Sequence, residues 1–151
     1  MLKSSGLTGR SDHRVDAKGR LNIPAAMRKV LAPDVHDEVV VLLVPARHLL
    51  LFNMDYWSGT IQQSIIDSAE KIGPENVWRA INRLSENAHM STIDSQGRIT
   101  IPGRLLKSAG IESDAVVIGA FDRVFVWRPE SYDEWIKADN VDATISEIGI
   151  F

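Results

Sequence analysis

Val15-Asp16-Ala17-Lys18-Gly19-Arg20-Leu21-Asn22-Ile23-Pro24 recurs further along the chain as Ile93-Asp94-Ser95-Gln96-Gly97-Arg98-Ile99-Thr100-Ile101-Pro102. Asp, Gly, Arg and Pro keep identical spacing, and apolar residues match at Val15/Ile93, Leu21/Ile99 and Ile23/Ile101. Each stretch predicts the same local structure. An Asp carboxylate bonds backbone N–H groups ahead of it, and Gly19 and Gly97 supply a positive φ without steric cost, so the segment turns. The alternation in Leu21-Asn22-Ile23 and Ile99-Thr100-Ile101 then reads as a strand with one buried face. Pro24 and Pro102 suit the first turn of a helix.

The correspondence extends outward. After each Pro comes a short helical stretch, closed in the second copy by Gly110, then an apolar run, Val39–Val44 or Val116–Phe121, that reads as a buried strand. Pro45-Ala46-Arg47-His48 and Asp122-Arg123 turn the chain into a last strand, and a Trp-containing helix follows, around Trp57 or Trp135. Such self-similarity is a duplication, two copies of one β-rich module. Between the copies, Trp57, Ile61, Ile65, Ala69 and Ile72 share one helical face, Gly73-Pro74 breaks the helix, and Val77, Ile81, Leu84 and Ala88 form a second apolar face. The segments are repeat 1 (residues 10–57), a helical insert (58–87), repeat 2 (88–131), and a C-terminal helix with an acidic tail (132–151). Ile145, Ile148, Ile150 and Phe151 give the tail an apolar stripe that either docks as a short helix or frays.

Composition narrows the function classes. The 151 residues include no cysteine, which excludes disulfides, thiolate metal sites and cysteine nucleophiles. No apolar run is long enough for a bilayer, and Met1 to Gly6 lacks a signal peptide's apolar core, so the expected location is the cytoplasm. The formal net charge is −3, but residues 1–30 carry Lys3, Arg10, Arg14, Lys18, Arg20, Arg28 and Lys29 against Asp12 and Asp16. A basic face for a polyanion is expected there, and an acidic face elsewhere. His13, His36, His48 and His89 are scattered, without metal-ligand spacing, and there is no serine elbow, phosphate-binding glycine loop or dinucleotide fingerprint. An enzyme, a cofactor and a small-molecule substrate are not expected.

Arg20 and Arg98 are the candidate contacts to such a polyanion. A guanidinium offers a planar fork of donors matched to phosphate oxygens or a guanine edge. Asp16, Gly19, Asp94 and Gly97 would shape the turn and orient each Arg. Arg10, Arg14, Lys18, Arg28 and Lys29 would add phosphate contacts, with Arg104 and Lys107 fewer partners in the second copy. The first half is therefore expected to supply more of the affinity. A purely structural reading, in which Asp and Arg pair only to lock the hairpin, competes with this one, although a structural Arg still exposes donors.

The duplicated Asp-x-x-x-Arg pattern, with Gly before Arg and Pro four beyond, resembles the MraZ family of the AbrB/SpoVT superfamily from about Leu7 to about Ala138. Thr8-Gly9-Arg10 is similar to the short motif that precedes the family's first repeat, with Thr8 where Phe is usual. The resemblance implies an α+β fold of two AbrB/SpoVT-like swapped-hairpin modules in pseudo-two-fold arrangement. It also implies a ring-forming homo-oligomer that binds short direct DNA repeats upstream of its own division and cell-wall operon, in the cytoplasm and on the nucleoid. The alternative is an antitoxin-like or scaffolding oligomer whose hairpins serve protein assembly. Two copies and a helical insert, in place of one copy and a disordered toxin-binding tail, weigh against it.

Overall fold

The computed structural model describes residues 6–150. Lys3, most of the stretch read against a signal peptide, and Phe151 lie outside the described residues. The first copy forms β1 (Arg10–Arg14), β2 (Arg20–Asn22), α1 (Ala25–Leu31), β3 (Glu38–Leu43) and β4 (Leu49–Asn53). The insert follows as α2 (Met54–Tyr56), a π-helical stretch (Trp57–Ile61), α3 (Gln62–Asp67), α4 (Ala69–Ile72) and α5 (Pro74–Glu86). The second copy repeats the first as β5 (Ala88–Thr92), β6 (Arg98–Thr100), α6 (Gly103–Ser108), β7 (Asp114–Ala120) and β8 (Arg123–Trp127). Helices α7 (Pro129–Lys137) and α8 (Val141–Ile148) end the chain. The chain is thus α+β, with antiparallel pairing throughout its named strands.

The two copies do not fold side by side. The main sheet runs β1-β7-β8-β4-β3-β5. The first strand of each copy therefore lies on the third strand of the other, Ser11 opposite Val117 and Ser91 opposite Val39. At the centre β4 meets β8, with Leu50 opposite Phe125. The order reads the same from either edge when one copy is exchanged for the other. The remaining strands, β2 and β6, pair only with each other.

Alternation explains where the cores sit. Val39, Val41, Leu49, Leu51, Val117, Val124 and Val126 face one side of the sheet, where they meet Leu21, Ile23, Met27, Leu31, Ile99, Ile101 and Leu105. Leu21 and Ile99 are fully buried there, and each such side chain is worth about 1.5–3 kcal/mol of transfer free energy. On the opposite side Val40, Leu42, Leu50 and Phe52 pack with Trp57. Phe52 and Trp57 rings stand 5.3 Å apart. In the second copy α7 takes the equivalent place, with Trp135 stacked 5.1 Å from Trp127. Burial on both faces is why Val39–Val44 reads as a continuous apolar run rather than an alternating one.

Three local expectations shift. Pro24 and Pro102 are the N-cap residues of α1 and α6, one place before the first helical residue. Ala88, assigned by spacing to the second insert helix, opens β5; α5 stops at Glu86, and the Asn87 carbonyl accepts from Leu43 N at 3.0 Å instead of continuing a helix. The first insert stripe is covered only in part, with Trp57 buried and Ile72 exposed. The tail does form a helix, α8, and its Val141, Ile145 and Ile148 stand exposed. Gly110 closes α6 as expected, Gly110 N donating to Lys107 O and Ile111 N to Leu106 O.

His48, before β4, is buried and stacked on Trp127 at 4.1 Å. Burial pushes its pKa down, because the apolar surroundings disfavour the imidazolium. The folded chain thus resists a proton that the unfolded chain accepts. Stability is full above the ordinary histidine pKa of about 6.5 and declines as pH falls below it. A second decline sets in below about pH 4, where protonation releases Asp16, Asp94 and Asp122, whose carboxyls are held below the usual range. His48→Phe, which keeps the stack, is expected to remove the first limb of the melting-temperature profile and leave the second. An unchanged first limb would show that another group governs it.

Candidate nucleic-acid interface

The two Asp-Gly-Arg turns are built alike. Asp16 Oδ1 accepts from Lys18 N and Arg20 N, both at 2.9 Å, and Gly19 N donates to Asp16 O at 2.9 Å. Asp94 Oδ1 accepts from Gln96 N and Arg98 N at 2.9 Å, and Gly97 N donates to Asp94 O at 3.0 Å. The second carboxylate oxygen takes the guanidinium: Asp16 Oδ2 lies 2.6 Å from Arg20 Nε, and Asp94 Oδ2 lies 2.9 Å from Arg98 Nε. The backbone N–H of each Arg, followed by its guanidinium, holds the carboxyl below the usual carboxylate range. Each Asp therefore stays ionised through neutral pH and fixes both the turn and the Arg side chain beyond it.

Fixing Nε leaves the Nη fork of each Arg without a side-chain or backbone partner among the described residues. The register of the β2–β6 ribbon sets where those forks point. Arg20 lies opposite Thr100, Leu21 opposite Ile99, and Asn22 opposite Arg98. Leu21 and Ile99 are fully buried, so the alternate residues Arg20, Asn22, Arg98 and Thr100 share the outer face. Arg20 and Arg98 are then diagonal neighbours, about 7–8 Å apart by sheet geometry. Two further bonds join the turns across the copies: Ile101 N donates to Gly19 O at 2.8 Å, and Ile23 N to Gly97 O at 3.0 Å. Each turn is thus held from both sides, by its own Asp and by the other copy's strand.

The remaining sequence-predicted residues divide. Lys18 is exposed on the first turn. Arg28 crosses to the other copy: its side chain lies over Gly97, with Nη1 3.5 Å from Gln96 O. Arg28 and Lys29 border a shallow hollow with Asp94, Ser95 and Gly97. At the matching place beside Gly19 stands Leu106. Two of the first copy's cations, Arg28 and Lys29, therefore flank the second copy's turn rather than their own. Arg14 pairs with Asp114 at 3.5 Å. Arg10 pairs with Asp12 at 3.2 Å and lies over the Tyr132 ring. Arg104 donates to Glu86 O at 2.8 Å and Asn87 Oδ1 at 3.1 Å, fastening the end of α5. Asn22 and Thr100 were not singled out from the sequence, although the alternation that buries Leu21 and Ile99 pointed to them.

The glycines report how tightly the turns are held. Gly19 and Gly97 have φ of +80° and +78°. Forcing a Cβ into that region costs roughly 1–2 kcal/mol. A Cβ on Gly19 would also lie 2.5 Å from the carbonyl oxygen of Ile101, a backbone atom, whereas one on Gly97 would meet the movable end of Arg28. Gly19→Ala is expected to lower stability in urea unfolding by clearly more than Gly97→Ala. Equal losses would show that the Ile101 carbonyl yields freely.

A family model described as "MraZ protein, putative antitoxin-like" matches residues 7–75 and again 84–146, one match to each copy. A protein of Thermoanaerobacter pseudethanolicus named Transcriptional regulator MraZ is 33% identical over 145 residues, covering 94% of this chain and 93% of its own. Relatives of the same name from Chlorobium phaeobacteroides and Christiangramia forsetii are 30% and 29% identical, covering 83% and 90% of this chain and 85% and 86% of their own. The extent of these matches agrees with the duplication, and the chain belongs to the MraZ family.

Proposed function

We propose that this protein is a sequence-specific DNA-binding transcriptional regulator that lays the β2–β6 ribbon in the major groove, with Arg20 and Arg98 as its principal readers. The observation that carries this reading is the pair of Nη forks on one exposed ribbon face, each braced through Nε by an Asp. The major groove admits a two-stranded ribbon, and an Arg fork matches the O6 and N7 acceptors of guanine. Lys18, Arg28 and Lys29 border the turns and would contact phosphates, which position the protein without reading sequence. Arg14 and Arg10 lie further back on β1, already paired with carboxylates, and Arg104 is engaged on α5; these three contribute through the general field more than by direct contact.

In this reading the exchange of β1 and β5 between copies is the AbrB/SpoVT swapped-hairpin arrangement with pseudo-two-fold symmetry, and the segments are those read from the sequence: 10–57, 58–87, 88–131 and 132–151. A single ribbon with two Arg readers binds weakly. Joining copies of the chain into a ring facing evenly spaced direct repeats raises the affinity through effective concentration. The regulated DNA is that upstream of the protein's own division and cell-wall operon, and the protein works in the cytoplasm, on the nucleoid. The alternative is a scaffold whose modules serve assembly alone. It draws support from the exposed apolar side chains of the insert, Ile66, Ile72 and Trp78.

Each Arg–guanine pair contributes about 1–3 kcal/mol of discrimination. Arg20→Ala with Arg98→Ala is therefore expected to weaken promoter binding on the order of a hundredfold or more, with the size of the oligomer unchanged in sedimentation. The affinity of the unaltered protein is expected to fall steeply with added salt through counterion release. Full promoter binding by the double variant would show that Arg20 and Arg98 are not the readers, and no promoter binding by the unaltered protein would leave the assembly-only reading standing.

A further inference from the structure

The two Arg readers are equivalent, but the outer face of the ribbon is not. Its other two positions are Asn22, opposite Arg98, and Thr100, opposite Arg20. Both side chains are exposed, and neither the Asn22 amide nor the Thr100 hydroxyl has a hydrogen-bond partner among the described residues; Thr100 takes part only through its backbone N–H, which donates to Ser91 Oγ at 2.9 Å. One end of the ribbon therefore presents Arg with Asn, and the other presents Arg with Thr. The flanks differ in the same sense, with Arg28 beside the Arg98 turn and Leu106 beside the Arg20 turn.

We infer that Asn22 and Thr100 are specificity-determining residues that give the ribbon a direction, so that it reads a non-palindromic box. This rests on the ribbon being the DNA-reading element. An Asn amide pairs bidentately with the N6 and N7 edge of adenine, an arrangement that a Thr hydroxyl cannot reproduce; Thr instead offers one hydroxyl and a methyl that suits thymine. The base beside the guanine read by Arg98 is then an adenine chosen by Asn22. The base beside the guanine read by Arg20 lies under Thr100 and is chosen less strictly. A ring of identical chains, each with the same directional face, would meet boxes that all point the same way. That is the geometry of direct repeats rather than inverted ones.

The test is selection from a random duplex library by the full-length protein and by four variants: Asn22→Thr, Thr100→Asn, the double exchange, and Arg20→Ala with Arg98→Ala. Melting temperatures confirm that each folds. The unaltered protein is expected to enrich a non-palindromic box. Asn22→Thr should lose, by about tenfold to a hundredfold, the adenine preference at one position and move the box towards a palindrome. Thr100→Asn should gain that preference at the opposite end, and the double exchange should transfer it there while the Arg-read guanines stay. If the Arg double variant enriches nothing and the other three enrich the original box, the ribbon reads DNA but Asn22 and Thr100 do not, and this inference falls alone. A uniform loss of affinity across all sequences would make them phosphate contacts and overturn it likewise. If the Arg double variant enriches the original box, the ribbon is not the reader and both readings fall together.

Discussion

Neither half of this chain can close its own sheet, and the rest of the structure depends on that constraint. β1 finds its partner in β7 and β5 finds its partner in β3, so each copy supplies the other's edge strand. The exchange brings the two Asp-Gly-Arg turns together, because β2 and β6 follow directly from the exchanged strands and have only each other to pair with. Leu21 and Ile99 then point into a core made by both copies. Arg20 and Arg98 become neighbours as a consequence, although nearly eighty residues separate them along the chain.

The same exchange redistributes charge. A basic stretch near the start of the sequence suggests a strong first module and a weaker second one. In the folded chain Arg28 extends over the second turn, and Leu106 takes the equivalent place at the first. Charge carried by one copy is thus displayed by the other. Six of the twenty acidic residues lie in the tail beyond Pro129, against Lys137 alone, so the negative balance is uneven along the chain.

What was legible in the sequence was local. The Asp-x-x-x-Arg turn, the left-handed Gly, the Pro before each helix and the Gly that ends α6 follow from hydrogen bonds and torsions spanning a few residues, and each lies where the pattern put it or one place away. What was not legible depends on partners distant in sequence. The apolar run marks β3 as a strand, but Arg10–Arg14 is polar throughout and becomes β1 only through its pairing with β7. Helical spacing extended naturally through Ala88, because only the pairing of β5 with β3 draws that residue out of a helix. The crossing of Arg28 has no local sign at all. Asn22 and Thr100 were within reach, since the alternation that hides Leu21 and Ile99 exposes their neighbours.

In the proposed reading, bracing each Arg with an Asp looks like a poor way to build a site for a polyanion, since the carboxylate cancels much of the guanidinium's charge at a distance. That cost falls mainly on non-specific binding, which is governed by net charge over phosphates. Base reading is governed instead by the placement of two Nη donors a few ångströms from a guanine edge, and the Asp improves it by fixing a long, flexible side chain before the DNA arrives. An unbraced Arg would attract any phosphate nearby and would have to be ordered at each encounter. An Arg held through Nε gives up some attraction to all DNA and keeps its discrimination for the matching base. Because the useful quantity for a regulator is the ratio of specific to non-specific affinity, a carboxylate on the binding face raises the fitness of the site for reading while lowering its raw affinity. Several weak, well-ordered ribbons acting together can then recover the affinity that each one gives up.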